Sequence, residues 1–354
     1  MNNNLNIKKS TRIKFWSHFI KNYYKYRGTA GDFGPEKVSL KRKIHENRIL
    51  HESEKFGDGV ETEVPSYNKN EISIEDFKEK YLFKNRPVLL KGFGKDFEAC
   101  KKWNLDFFEN NYGNEIVPCR QNGKTLSNET LLLKDVTIRE LVKDIKNGGS
   151  LFGSNLSDFL NENESLKSDI NLQEFEKYIC FRKRDKIAST QLFMSGGNTK
   201  TGFHASGGVN LFYQIYGVKK WTFVNPDYTP WMYPVLRKDL FYTGSKIPWT
   251  NPASDIAKSG FPLYNYVPKQ VAVLEPGDIL FSPQWWWHAI ETRSSSIAVA
   301  SRAMNKMILG STPFSLMWVT SKEFRALVKS IITTGVATDK TGGALIAFDK
   351  KSEI

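Results

Sequence analysis

From about residue 187 onward the chain is punctuated by short runs of β-branched and aromatic residues set between glycines and prolines. They are S-T-Q-L-F-M-S, V-N-L-F-Y-Q-I-Y, K-W-T-F-V, Q-V-A-V-L, D-I-L-F-S and S-I-A-V-A-S. Strands this short at such spacing predict a sandwich or barrel. The interval 225–270, with W-M-Y-P-V-L and K-I-P-W-T-N-P, reads as a rim insertion rather than another pair of strands. Before residue 187 the texture differs. S-I-E-D-F-K-E-K-Y-L-F opens a helix, with Ser73 as N-cap and Asp76 three residues on. N-R-P-V-L-L-K-G-F is a short strand opened by Pro87, and A-C-K-K-W-N-L-D-F-F-E-N-N-Y-G is helical up to Gly113. Residues 122–185 are mixed and polar, helices with a loop.

Two flanks complete the pattern. In F-W-S-H-F-I-K-N-Y-Y, Phe15, Phe19 and Tyr23 share a helical face ringed by Lys14, Lys21 and Lys25, and residues 28–70 read as a linker. Past 305, Phe324, Leu327, Val328, Ile331 and Ile332 line one helical face suited to packing or to a homodimer. The domains expected are a basic arm and linker (1–70), a β-rich domain (71–305) and a helical extension (306–354).

Composition narrows the class. With 40% apolar and 13% aromatic residues the chain is globular, and no apolar run approaches the ~20 residues that span a bilayer. The start M-N-N-N-L-N-I-K-K-S lacks the apolar core of a secretory signal, so a cytoplasmic setting is expected, with an organelle address also compatible. Cys100, Cys119 and Cys180 share no metal-type spacing and read as reduced thiols. Of the net +13, +9 lies in residues 1–50. Basicity is therefore a property of the arm. Such a helix either docks on its own domain with solvated lysines or meets an acidic partner, RNA or an anionic membrane surface.

Five histidines are present; His18, His45 and His51 lie in or near the arm. His204 and His288 fall in the β-rich region, each at a strand edge, 84 residues apart, and a pair on different strands is a metal hypothesis. The text around them is T-G-F-H-A-S-G-G and E-P-G-D-I-L-F-S-P-Q-W-W-W-H-A-I-E-T. With Y-L-F-K-N-R-P-V-L-L-K-G-F, W-N-L-D-F-F, N-L-F-Y-Q-I-Y-G-V-K-K-W and W-M-Y-P-V, this ordered set resembles the JmjC/cupin-like family of Fe(II)/2-oxoglutarate-dependent oxygenases, especially its small protein-hydroxylase branch. The resemblance runs from Ser73 to Ala303.

The resemblance implies a mainly β fold, a double-stranded β-helix (jelly-roll) core with flanking helices, binding one Fe(II) and 2-oxoglutarate. His204 and His288 would be metal ligands. Lys219 and Thr201 would hold the distal carboxylate of the cosubstrate, and Asn210 would lie near its chelating end. A dianion buried in a barrel needs such a cation to offset desolvation. Two positions depart from the pattern. Where H-x-D/E is expected the chain has His204-Ala205-Ser206, and an asparagine expected in the last strand is Ala300, with Arg302 nearby.

The vacated carboxylate position has three readings. A small Ser206 beside Gly207 and Gly208 leaves room for chloride or bromide, which implies halogenation, with Arg302 near the anion. Alternatively Ser206, a water, Asp227 or Glu291 completes a hydroxylase or demethylase site. In the third reading the fold is a binding module without catalysis. Trp231, Trp249, Trp285 and Trp286 read as a rim for a protein side chain or an aromatic or apolar small molecule; core packing covers at least Trp286 and Trp287.

Overall fold

Each β run expected after residue 187 forms a strand in the computed structural model. It describes residues 7–26, 40–121, 133–154, 156–180, 187–235, 242–303, 336–338 and 344–347, with positions 313, 317, 325 and 329. One sheet runs β1 (Glu61–Glu63), β12 (Lys269–Leu274), β10 (Lys219–Val224), β14 (Trp287–Thr292), β8 (Lys200–Ser206), β11 (Tyr242–Gly244). The other runs β2 (Ser66–Asn68), β3 (Val88–Lys91), β13 (Ile279–Ser282), β9 (Val209–Tyr216), β15 (Ser296–Ala303), β7 (Ser189–Ser195), β6 (Leu151–Gly153), β4 (Ile116–Gln121), β5 (Leu133–Thr137). Strands β7 to β10 and β12 to β15 pass alternately between the sheets, except that β10 and β12 pair with each other around the insertion. That is a jelly roll.

Period-two alternation sorts the side chains of these strands into three layers. In β9, Phe212 points between the sheets while Leu211, Tyr213 and Ile215 face the helices outside. In β15, Ala298 and Ala300 point inward and Ile297 and Val299 outward. The inner layer also holds Leu280, Trp221 and Phe223. On the far side of the first sheet, Phe203, Ala205, Trp287 and Ala289 pack against the N-terminal helices and the insertion. Each large side chain buried this way contributes ~1.5–3 kcal/mol.

Local signals are realised as read near Ser73, whose hydroxyl accepts the Asp76 N–H at 3.0 Å. The N-terminal helix α1 (Lys9–Tyr26) is docked on the domain, with Phe15 and Phe19 buried beside Trp231, Trp285 and Trp287. Residues 28–70 are not all linker: α2 (Leu40–Ser53) packs on α1, and β1 and β2 join the two sheets as parallel edge strands. Stretch 122–185 likewise supplies strands β5 and β6 besides its helices. The interval 225–270 contributes one strand, β11, to the edge beside β8.

The tryptophans do not form a rim. Trp231, Trp285 and Trp286 are buried, and Trp249 is half-buried against Phe203. Trp231 Nε1 donates to Ser53 Oγ and Trp286 Nε1 to the Asn85 carbonyl, so their polar edges serve the fold. The apolar face expected at Phe324, Leu327, Val328, Ile331 and Ile332 lies outside the described residues. Among the described residues the cysteines are free thiols, and no helix is long and apolar enough to cross a membrane.

Candidate metal centre

His204 and His288 are directly opposite each other on the paired strands β8 and β14. Both sit within strands rather than at strand edges, and their rings converge, with centroids 4.1 Å apart. Each Nδ1 lies at hydrogen-bond distance from a carbonyl of its own strand segment, Gly202 O at 2.9 Å and Trp286 O at 3.0 Å. A carbonyl only accepts, so Nδ1 carries the proton and the lone pair is left on Nε2, the arrangement a metal-binding imidazole needs. Burial lowers the His288 imidazole to about 4, with the nearby Arg302 charge acting in the same direction, so the ring is held neutral. Trp221 stacks on it, centroids 5.2 Å apart. The turn that delivers His288 contains Trp285 at φ +62°, a left-handed conformation that is strained for a bulky residue.

Three rows cross the inner face of this sheet. Phe223, His288 and His204 form the first; Trp221, Ile290 and Thr201 the second; Lys219 and Thr292 the third. Thr201 is three residues from His204, a separation that ordinarily puts side chains on opposite faces. A bulge in β8 supplies the extra residue, so Thr201 pairs with Ile290 and rejoins the histidine face. Alternation in β10 sends Lys219 inward and Lys220 outward to Glu61. Lys219 Nζ is held by Thr292 Oγ1 at 2.8 Å and Ser195 Oγ at 3.1 Å, and among the described residues no carboxylate pairs with it. Burial lowers its ammonium to about 7.

Asn210, the second residue of β9, lies opposite Ser282 and Arg302, and its Oδ1 is buried without a hydrogen-bond partner. Arg302 shares the inward parity of Ala298 and Ala300 and its charge is felt at His288. Ser206 lies two residues from His204 on the same face of β8 and is half-buried. Neither proposed carboxylate reaches it. Asp227 is exposed and lines a cleft beneath α1, while Glu291 has the opposite parity to His288 and stands in register with Lys220 and Lys200 on the outer face. Among the described residues no cluster of three His, Cys, Asp or Glu exists. Tyr242 was not visible as a site residue in the sequence: β11 sets it opposite Ser206, with its ring stacked 5.0 Å from that of His204.

Residues 74–301 match the family described as the cupin-like domain. The chain belongs to that family. Curated relatives carry JmjC and demethylase names. A lysine-specific demethylase 8 of Xenopus tropicalis is 26% identical over 280 residues, 77% of this chain and 58% of that protein. The arginine-specific demethylase JMJ20 of Arabidopsis thaliana is 23% identical, covering 76% of this chain and 63% of its own length. JmjC domain-containing protein D of Dictyostelium discoideum is 23% identical over 64% of this chain and 53% of its own. The chain thus spans about six-tenths of the length of the first two relatives.

The donor set of this cupin-like domain fits Fe(II) and 2-oxoglutarate. Two imidazoles, each with Nδ1 turned to a carbonyl, suit a borderline divalent ion. A buried ammonium whose partners are hydroxyls, and orphaned polar atoms at Asn210 Oδ1 and Trp221 Nε1, suit a short dicarboxylate between the sheets. Four strand residues separate the histidine and lysine rows, ~13 Å of strand.

Proposed function

We propose that the chain is an Fe(II)/2-oxoglutarate-dependent oxygenase that hydroxylates a C–H bond of a protein side chain. The observation that supports it is the cross-strand pair His204–His288, with both Nδ1 protons fixed, two rows from the buried Lys219. His204 and His288 would hold the metal, Lys219 and Thr201 the distal carboxylate, and Asn210 would lie near the chelating end. Bound there, the iron and its keto-acid supply oxidation of an unactivated C–H bond by O₂. The chain's own part is to present two imidazole nitrogens, to offset the charge of a dianion with one ammonium, and to exclude water with Trp221, Phe212 and Phe223. The relatives' names make lysine and arginine side chains the first substrates to test.

Halogenation is the second reading. It is favoured by the small Ser206 on the His204 face and by the Arg302 charge at His288, which together suit a halide. Anaerobic titration with Fe(II) and 2-oxoglutarate, followed by the metal-to-keto-acid charge-transfer band, tests the assignment. A band unaffected by chloride supports hydroxylation, and a band that moves with chloride or bromide supports halogenation. Absence of any band, with no 2-oxoglutarate turnover, overturns both and leaves the fold as a binding module.

A further inference from the structure

Strand β11 runs along β8 beside the histidines, with Gly244 opposite His204 and Tyr242 opposite Ser206. Residues directly opposite in a ladder share a face. Tyr242 therefore stands on the side of β8 that carries Ser206 and, two residues back, His204. Its ring lies 5.0 Å from the His204 imidazole, centroid to centroid, with planes 27° apart. A carboxylate side chain two residues after the first histidine would project into the space that Ser206 leaves beside this phenol.

We propose that the Tyr242 phenol oxygen is the third protein ligand of the metal held by His204 and His288. This rests on the metal-centre reading above and adds the donor that reading lacks. A phenolate is an anionic oxygen donor, so it restores the negative charge that serine removes from the position. As the oxygen–metal bond forms, the phenol O–H bond breaks and the proton passes to solvent, with no change of oxidation state. The short Ser206 side chain provides the room, and Asp227 and Glu291 face elsewhere. With the phenolate in place the site has no vacancy for a halide, which selects hydroxylation over halogenation.

The test uses the full chain loaded with Fe(III), because a ferric phenolate absorbs in the visible and gives phenolate resonance Raman modes. Iron is counted independently by elemental analysis. The wild type is expected to bind one iron with the band. Tyr242→Phe is expected to bind iron about tenfold or more weakly and without the band. Ser206→Asp is expected to keep the iron and lose the band, because the carboxylate takes the phenolate's place; thermal melts confirm that both variants fold. Iron bound by the wild type without a phenolate band, or a band that survives Tyr242→Phe, overturns the proposal and leaves the histidine centre standing. Elemental analysis that finds no iron on the wild type, or as much iron on His204→Ala as on the wild type, overturns the metal centre and the tyrosine with it.

Discussion

Replacing Lys219 by methionine keeps the aliphatic stem and removes a charge that the folded chain holds at a cost. Burial moves the ammonium from 10.5 to about 7. At ~1.4 kcal/mol per pH unit, that difference corresponds to at most about 5 kcal/mol. The folded value is the lower one, so between these limits the unfolded state binds the extra proton and wild-type stability rises with pH. Below pH 7 both states are protonated and the full cost is present; above about 10.5 it is gone. Lys219→Met has no such dependence. Denaturant melts from pH 6 to 9 should therefore find the variant more stable than wild type. The gap should narrow by roughly 2–3 kcal/mol between pH 7 and 9. Adding 2-oxoglutarate should raise the wild-type midpoint at pH 7 and leave Lys219→Met unmoved. Parallel pH profiles for the two proteins would refute the premise that this ammonium is buried without an anionic partner.

Loss of either ring nitrogen should end metal binding: His204→Ala and His288→Ala are expected to retain no Fe(II) in anaerobic equilibrium dialysis. Ser206→Asp should still retain Fe(II) in the same assay, since one anionic oxygen donor takes the place of another. Gly217 turns the chain from β9 into β10 at φ +75°, and a Cβ there would fall 1.9 Å from the Ser295 carbonyl oxygen. Gly217→Ala should cost more than about 1 kcal/mol in urea melts and weaken 2-oxoglutarate binding by displacing Lys219. Phe19 is buried on the inward face of α1, and Phe19→Ala should cost ~3–4 kcal/mol with earlier proteolysis within residues 7–26 as the readout.

Much of the barrel is legible along the chain, because strands buried on both faces write themselves as apolar runs such as V-N-L-F-Y-Q-I-Y and S-I-A-V-A-S. The two strands that carry the histidines are harder to read. K-T-G-F-H-A-S and W-H-A-I-E-T devote inward positions to Thr201, His204, Ser206, His288 and Thr292, so polar site residues dilute the β signal. Strands β1 and β2 escaped notice because three-residue edge strands with exposed side chains have little apolar pattern to show. The tryptophans near His288 looked like a binding rim and proved to be buried, since composition does not tell which side of a sheet a residue takes when a helix such as α1 covers the outside.

The sequence by itself determined the residue chemistry and the alternation: which side chains are imidazole, ammonium, hydroxyl or aromatic, and which of them share a face along an unbroken strand. Pairing was decided only by the tertiary structure. Whether His288 lies opposite His204, whether a bulge returns Thr201 to their face, and whether the insertion brings Tyr242 beside Ser206 all depend on register between strands far apart in the chain. Register is a property of closing the whole roll, because each ladder is fixed by burial on both its neighbours at once and a slip of one residue would turn every side chain to the other face.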